Sequence, residues 1–266
     1  MHRASSVCFA IAMTTGAWAQ SPYGRPLPVR NVGIDQKMNA PVPLDLTFAD
    51  ESGRPVQMKQ FFSGKPVLLS LVYYQCPMLC NMVLNGEAQA MKRSGLEVGK
   101  DYEAVTVSFD PREKSELAAS KKGTYLEKLG QSGAQAGWHF LTGDEKSIRA
   151  LADSVGFRYQ WDESTKQWGH ASAIMILTPE ARVSRYLFGI QYQWRDLRLA
   201  LVDASKQKIG NVTDQILLLC YHYDPKQGKY TLAVVNSLRI AGSATLALLG
   251  AFVFMNLRRD RRDRKA

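Results

Sequence analysis

Two cysteines separated by three residues, Cys76-Pro77-Met78-Leu79-Cys80, follow a nearly continuous apolar run from Pro66 to Tyr74 and open a helical pattern from Met78 to Lys92. The first turn of a helix presents unpaired backbone N–H groups and a partial positive charge, and both stabilise a thiolate. Pro77 suits a first helical position, where its missing N–H costs nothing. Residues four apart share a helical face, so the two sulfurs can converge on one atom or bond to each other. Two structural cysteines buried in a core are the plain alternative, and it leaves their place at a strand-to-helix turn unexplained.

Two thiolates form a soft ligand pair that favours Cu(I) or Zn over hard ions, and such a pair wants a third donor. Beyond the N-terminal segment the chain offers His139, His170 and His222. His139 lies in a short strand among aromatic residues and reads as a core or rim side chain. His170, in Trp168-Gly169-His170-Ala171-Ser172, precedes a strand, where a loop can deliver an imidazole to the edge of a sheet; it is the candidate third ligand. Cys220 and His222 form a second Cys–His pair after an apolar run, open to a metal or thiol-exchange reading but read first as a packing strand with one buried cysteine. Met78 and Met82, one turn apart, read as a packed helix face, with a thioether near a metal as the lesser alternative.

The ends of the chain set its compartment. Residues 1–19 read as a signal peptide: Arg3 supplies the positive charge, Val7 to Met13 the apolar stretch, and Ala17-Trp18-Ala19 a cleavage site before Gln20. From Ile240 to Leu257 no residue is charged. That run, with its upstream extension from Leu232, is a membrane-span candidate over 232–257, since eighteen helical residues rise about 27 Å against a hydrocarbon core of roughly 30 Å. The basic tail 258–266 marks the cytoplasmic end. The expected arrangement is a single pass through the cytoplasmic membrane with the main domain on the periplasmic side. Cys8 leaves with the signal, and an odd set of three remains, Cys76, Cys80 and Cys220, which is no simple disulfide framework. The tail and Arg3 account for half of the net charge of +10, so nucleic acid is not an expected partner.

Residues 20–41 read as an extended lead-in. The stretch 42–229 reads as one domain with its linker. Leu44 to Met58 carries a hairpin signature, and Pro66–Tyr74 and Glu103–Phe109 are strands buried on both faces. Trp138–Leu141 is a short strand, and Ala173–Leu177 with Val183–Leu187 a terminal strand pair. Helices are expected at Met78–Lys92, Glu113–Leu129, Asp144–Val155 and Trp194–Ala204. Alternating strands and helices argue for an α/β sandwich around a central mixed sheet flanked by helices. Asp110-Pro111-Arg112-Glu113 reads as the start of the second helix, with Asp110 as its cap.

From about Val42 to Ser205 the chain resembles the Sco/SenC family, thioredoxin-like copper proteins of cytochrome c oxidase assembly. Carrying the resemblance are the Cys76–Cys80 motif after an apolar strand, Val107-Ser108-Phe109-Asp110-Pro111 after the second strand, and His170 before the terminal pair. The three-residue gap sets the motif apart from thioredoxins, whose gap is two. The resemblance implies a thioredoxin-like fold and copper held by Cys76, Cys80 and His170. It also implies a partner, the copper-receiving subunit of a respiratory oxidase, which would gain copper or have its cysteines reduced. Met78, Asn81 and Gly169 stand where family members often carry an acidic residue, a proline and an acidic residue, and the expected anchor is C-terminal instead of N-terminal. These departures mark a divergent branch.

Two readings follow. In one, the chain is a copper-delivery protein. In the other, Cys76 and Cys80 are the redox pair of a thiol–disulfide reductase, one attacking a target disulfide and the other resolving the mixed intermediate, with His170 free of metal. A tethered scaffold with incidental cysteines would leave the Cys–Cys–His trio without a purpose.

Overall fold

The computed structural model describes residues 32–76 and 79–209, together with 223–224, 229–230, 239, 242–243, 245–246 and 249–250. The expected signal peptide, Pro77, Met78, Cys220, His222 and the basic tail lie outside the described residues. Of the expected span, the described positions from 239 to 250 are helical. No helix among the described residues is long and apolar enough to cross a membrane.

In chain order the main elements are β1 (Gly33–Ile34), β2 (Thr47–Ala49), β3 (Pro55–Gln57), β4 (Val67–Val72), α1 (Leu79–Ser94), β5 (Glu103–Ser108), α2 (Ser115–Leu129), the single turn α3 (Ala134–Gly137) and β6 (Trp138–Leu141). After these come α4 (Glu145–Ser154), β7 (Phe157–Asp162), β8 (Gln167–His170), β9 (Ala173–Leu177), β10 (Val183–Phe188) and α5 (Trp194–Ser205). β4 and β5 are buried at every position, so neither has a face to give to water and each must be flanked by strands and covered. They pair in parallel from Val67 against Glu103 to Val72 against Ser108. β6 runs parallel beside β5, and β9 antiparallel beside β4. The order β10-β9-β4-β5-β6 is the expected mixed sheet. α1 packs between α2 and α5, and α4 packs on β7. Asp144 starts α4 as a cap, its Oδ1 accepting the Ser147 N–H at 2.6 Å.

This topology gathers the chemistry at one edge. The C-terminal ends of parallel β4 and β5 lie side by side, so the cysteine loop and the loop after Ser108 leave the sheet together. β9 is antiparallel to β4, with Ile174 opposite Ser70, so the chain just before β9 arrives at that same edge. His170 sits there. It ends β8, the second strand of a hairpin that pairs antiparallel with β7 from Tyr159–His170 to Asp162–Gln167, and β1 adds to β7 as a third strand. This corrects the loop expected at His170. The alternation of Phe157, Tyr159 and Trp161 is the strand signal; Phe157 and Tyr159 point inward while Arg158 and Gln160 face water. β1 likewise draws part of the expected lead-in into this small sheet.

Gly86 stands in the middle of α1, where glycine normally costs helix stability. A Cβ there would lie 2.1 Å from the Ile190 carbonyl oxygen, so the chain before α5 can lie on the helix only because the side chain is missing. Gly86→Ala, a change that stabilises an open helix position by about 0.8–1 kcal/mol, is expected here to destabilise by about 1–3 kcal/mol, the scale of overpacking. A thermal melt measures the sign, and a melting temperature at or above that of the parent would show that Ile190 is not held against α1.

Candidate metal centre

The cysteine loop is fixed before its sulfurs are considered. Beyond Val72 the chain leaves the sheet, and the Tyr74 and Gln75 amides need acceptors. Both donate to Glu113, at 2.7 Å to Oε2 and 2.7 Å to Oε1, and the Ser108 hydroxyl donates to Oε2 at 2.5 Å. α1 then begins, and the Cys80 N–H donates to Cys76 Sγ at 3.3 Å, the helix-start stabilisation the sequence predicts. The Tyr73 N–H donates to Cys80 Sγ at 3.4 Å. Cys80 Sγ lies 3.3 Å from His170 Nε2. One ligand atom from each of Cys76, Cys80 and His170 lies within 4.8 Å of the others, with both cysteines buried and the histidine half-buried.

The protons are distributed unequally. Cys76 is held well below the ordinary thiol range, chiefly by a hydrogen bond from the Cys80 thiol; burial opposes this, and His170, the Cys80 amide and the Tyr73 hydroxyl add to it. Cys80 is driven far up, first by burial and next by the Cys76 thiolate, against the Tyr73 amide. The pair is thus biased toward ionisation at Cys76 and protonation at Cys80. His170 Nδ1 is 2.9 Å from the Ala171 carbonyl oxygen. A carbonyl can only accept, so Nδ1 carries a proton and Nε2 is the ring nitrogen that faces the sulfurs. Two soft sulfurs and an imidazole nitrogen suit a soft or borderline metal ion.

The imidazole is seated among aromatic rings, with centroids 5.1 Å from Phe109, 5.9 Å from Tyr73 and 6.2 Å from Phe157. Its hairpin is tied down separately. The Trp168 indole N–H donates to Asp110 Oδ2 at 2.9 Å, and Arg112 grips the same carboxylate through Nε at 2.8 Å and Nη2 at 2.6 Å. The Arg112 guanidinium also lies 4.3 Å over the Trp161 ring. Asp110-Pro111-Arg112-Glu113 is thus no helix cap. α2 begins at Ser115, and its N-cap Lys114 makes no side-chain bond. Glu113 is drawn inward by the orphaned amides, and Asp110 is turned toward the hairpin. Both residues escaped the sequence reading as parts of the site, although a carboxylate beside a buried strand end was the available signal.

Other sequence candidates fall elsewhere. His139 lies on β6 with Nε2 3.3 Å from Glu103 Oε2 and its ring against Phe61; Glu103 opens β5, at the end opposite the cysteines. Met82 is 41% exposed, a correction to the packed helix face expected of it, because it falls on the outer side of α1 with Asn85 and Gln89.

A mixed sheet with two cysteines and a histidine gathered where its parallel strands end, joined by helical crossovers, is a thioredoxin-like α/β fold bearing a candidate metal centre. Residues 35–195 match the SCO1/SenC family, and the chain belongs to that family. A structure from Aquifex aeolicus VF5 is 25% identical, with TM-score 0.57, covering 65% of this chain and 96% of its own. A SCO1/SenC family lipoprotein from Bacillus anthracis str. Ames is 18% identical, with TM-score 0.53, covering 65% and 99%. Arabidopsis thaliana ScoI, solved with copper bound, is 20% identical, with TM-score 0.50, covering 64% and 99%. No curated protein matches the chain.

Two predictions concern the supports. Glu113→Gln turns an amide NH2 toward one of two backbone donors, and the stability measured by urea unfolding is expected to fall by about 1–3 kcal/mol; unchanged stability would mean the amides find another acceptor. Burial would raise the Asp110 pKa, but the Arg112 and Trp168 bonds outweigh it and hold it below the ordinary value. A native pKa below the unfolded one gives stability that is present at neutral pH and lost as pH falls through the ordinary carboxylate range to the depressed value. Unfolding measured from pH 7 down to 3 is expected to show an acid limb that Asp110→Asn flattens. An identical limb in the variant would place the acid sensitivity elsewhere.

Proposed function

We propose that this chain is a membrane-tethered, exported protein that binds copper and delivers it to the copper centre of a cytochrome c oxidase subunit during its assembly. The convergence of Cys76, Cys80 and His170 donor atoms within 4.8 Å carries the reading. Family membership supports it, as does the Arabidopsis thaliana relative solved with copper bound. Cys76 and Cys80 would bind as thiolates and His170 through Nε2, and copper would leave by exchange with the soft ligands of the recipient. The tether is the uncharged run from Ile240 to Leu257 with its basic tail on the cytoplasmic side, and the signal peptide places the domain on the periplasmic side.

A second reading, reduction of the recipient's cysteines, is favoured by one observation: Cys76 Sγ accepts the Cys80 N–H at 3.3 Å, and with Cys76 pushed down and the buried Cys80 pushed up the pair is biased as an attacking and a resolving thiol require. His170 separates the two. Anaerobic Cu(I) titration of the reduced full-length chain against a competing chelator is expected to give one tightly bound copper per chain, lost in Cys76→Ala and Cys80→Ala and severely weakened in His170→Ala. Unweakened copper affinity in His170→Ala would sink the three-ligand site. Absent copper binding alongside an easily reduced Cys76–Cys80 disulfide would transfer the case to the reductase.

A further inference from the structure

We propose that the groove bounded by α1, α2 and the chain before α5 docks the copper-accepting protein through a segment that sets carboxylates around an apolar side chain. The inference rests on the delivery reading above.

The groove encloses about 470 Å³ and is lined by Met82, Asn85, Gln89 and Lys92 from α1, Lys128 from α2 and Ile190. The four α1 residues recur at three, seven and ten positions after Met82, which is one helical stripe, and all four are exposed. Met82 and Ile190 give the groove apolar contact surface, and Gly86 lets the Ile190 backbone approach closely enough to form its wall.

Its charge is unbalanced. Its lining holds Lys92 and Lys128 and no acidic residue, whereas Lys65 pairs with Glu103 at 2.8 Å and Lys122 with Glu51 at 2.9 Å. Two lysines of α2 are instead met by neutral amides of α1. Lys128 Nζ donates to Asn85 Oδ1 at 2.7 Å, and Lys121 Nζ to Asn81 Oδ1 at 2.8 Å. Among the described residues no ion pair is formed by Lys92, Lys121 or Lys128. A carboxylate ligand can therefore engage these cations without breaking an existing ion pair.

The α1 stripe also runs toward the end of the helix that carries the centre. Asn81, which receives Lys121, follows Cys80 directly and donates its Nδ2 to the Cys76 carbonyl oxygen at 3.3 Å. A segment lying along the α1 stripe from Lys92 to Met82 is thus aimed at the cysteine loop. Charge complementarity of this kind steers encounter and fixes orientation, and an apolar anchor in the groove supplies affinity.

The test uses the full-length chain in detergent micelles and a fluorescent peptide of glutamate and aspartate with two central leucines, beside a twin whose acidic residues are lysines. Fluorescence anisotropy is expected to show saturable, salt-sensitive binding of the acidic peptide and none of the twin. Affinity should drop by about tenfold or more in Lys92→Glu/Lys128→Glu, less steeply in Lys92→Gln/Lys128→Gln and in Met82→Ser, and stay unchanged in Lys146→Glu on α4. Equal binding by the reversed variant, or an equal loss in Lys146→Glu, would overturn the proposal. So would a concentration-dependent dimer in sedimentation that the reversal abolishes, since the occupant would then be a second copy. Cu(I) titration of the reversed variant should match the parent. Failure of copper binding in the parent therefore counts against delivery, whereas loss of peptide binding specificity counts only against the groove.

Discussion

Between Val72, the last ladder residue of β4, and the first turn of α1, the Tyr74 and Gln75 amides belong to neither sheet nor helix. Glu113 accepts both, along with the Ser108 hydroxyl. A buried donor without an acceptor costs about 1–3 kcal/mol, so this one carboxylate decides whether the cysteine loop can exist in its present form. Burial pushes the Glu113 carboxyl upward against the bonds that favour its ionised form, and nearby negative charge adds to the forces that keep Cys80 protonated. The acceptor that shapes the loop therefore also biases which sulfur is ionised.

The remaining supports follow from strand direction. Parallel β4 and β5 put the cysteine loop and Glu113 at one edge, and antiparallel β9 brings the end of β8 to it. Asp110 then joins the loop after β5 to the hairpin through Trp168. Two acidic residues three apart thus do separate work: Glu113 holds the segment leading to the sulfurs, and Asp110 holds the strand that ends in the imidazole.

Much of this is legible in the residues alone. Strands such as Val67–Val72 and Glu103–Ser108 declare themselves because burial on both faces is written in residue type. The placement of Cys76 and Cys80 at a strand-to-helix turn follows from the switch in periodicity, and His170 stood out as the histidine just ahead of a central strand. The β7–β8 hairpin was harder to read because its outer face is polar and its turn, Glu163 to Lys166, is exposed. The Asp110–Glu113 segment misled for a different reason. Its local pattern satisfies a helix start, and nothing nearby in the chain records that Tyr74 and Gln75, almost forty residues earlier, lack acceptors. Met82 shows the same limit on a smaller scale, since spacing from Met78 fixes a shared face without saying which way that face turns.

The imidazole and the sulfurs hang from different backbones. Cys76 and Cys80 follow the central five-stranded sheet, whereas His170 closes a strand of the separate three-stranded sheet. Any ion bound by all three would act as a rivet between two layers that share no hydrogen-bond ladder at that point. Removing it would leave the cysteine loop anchored by Glu113 and the hairpin by Asp110, each in its own place. The bonds that frame the site are thus separate from the atoms that would hold an ion, so neither anchor depends on the site being filled.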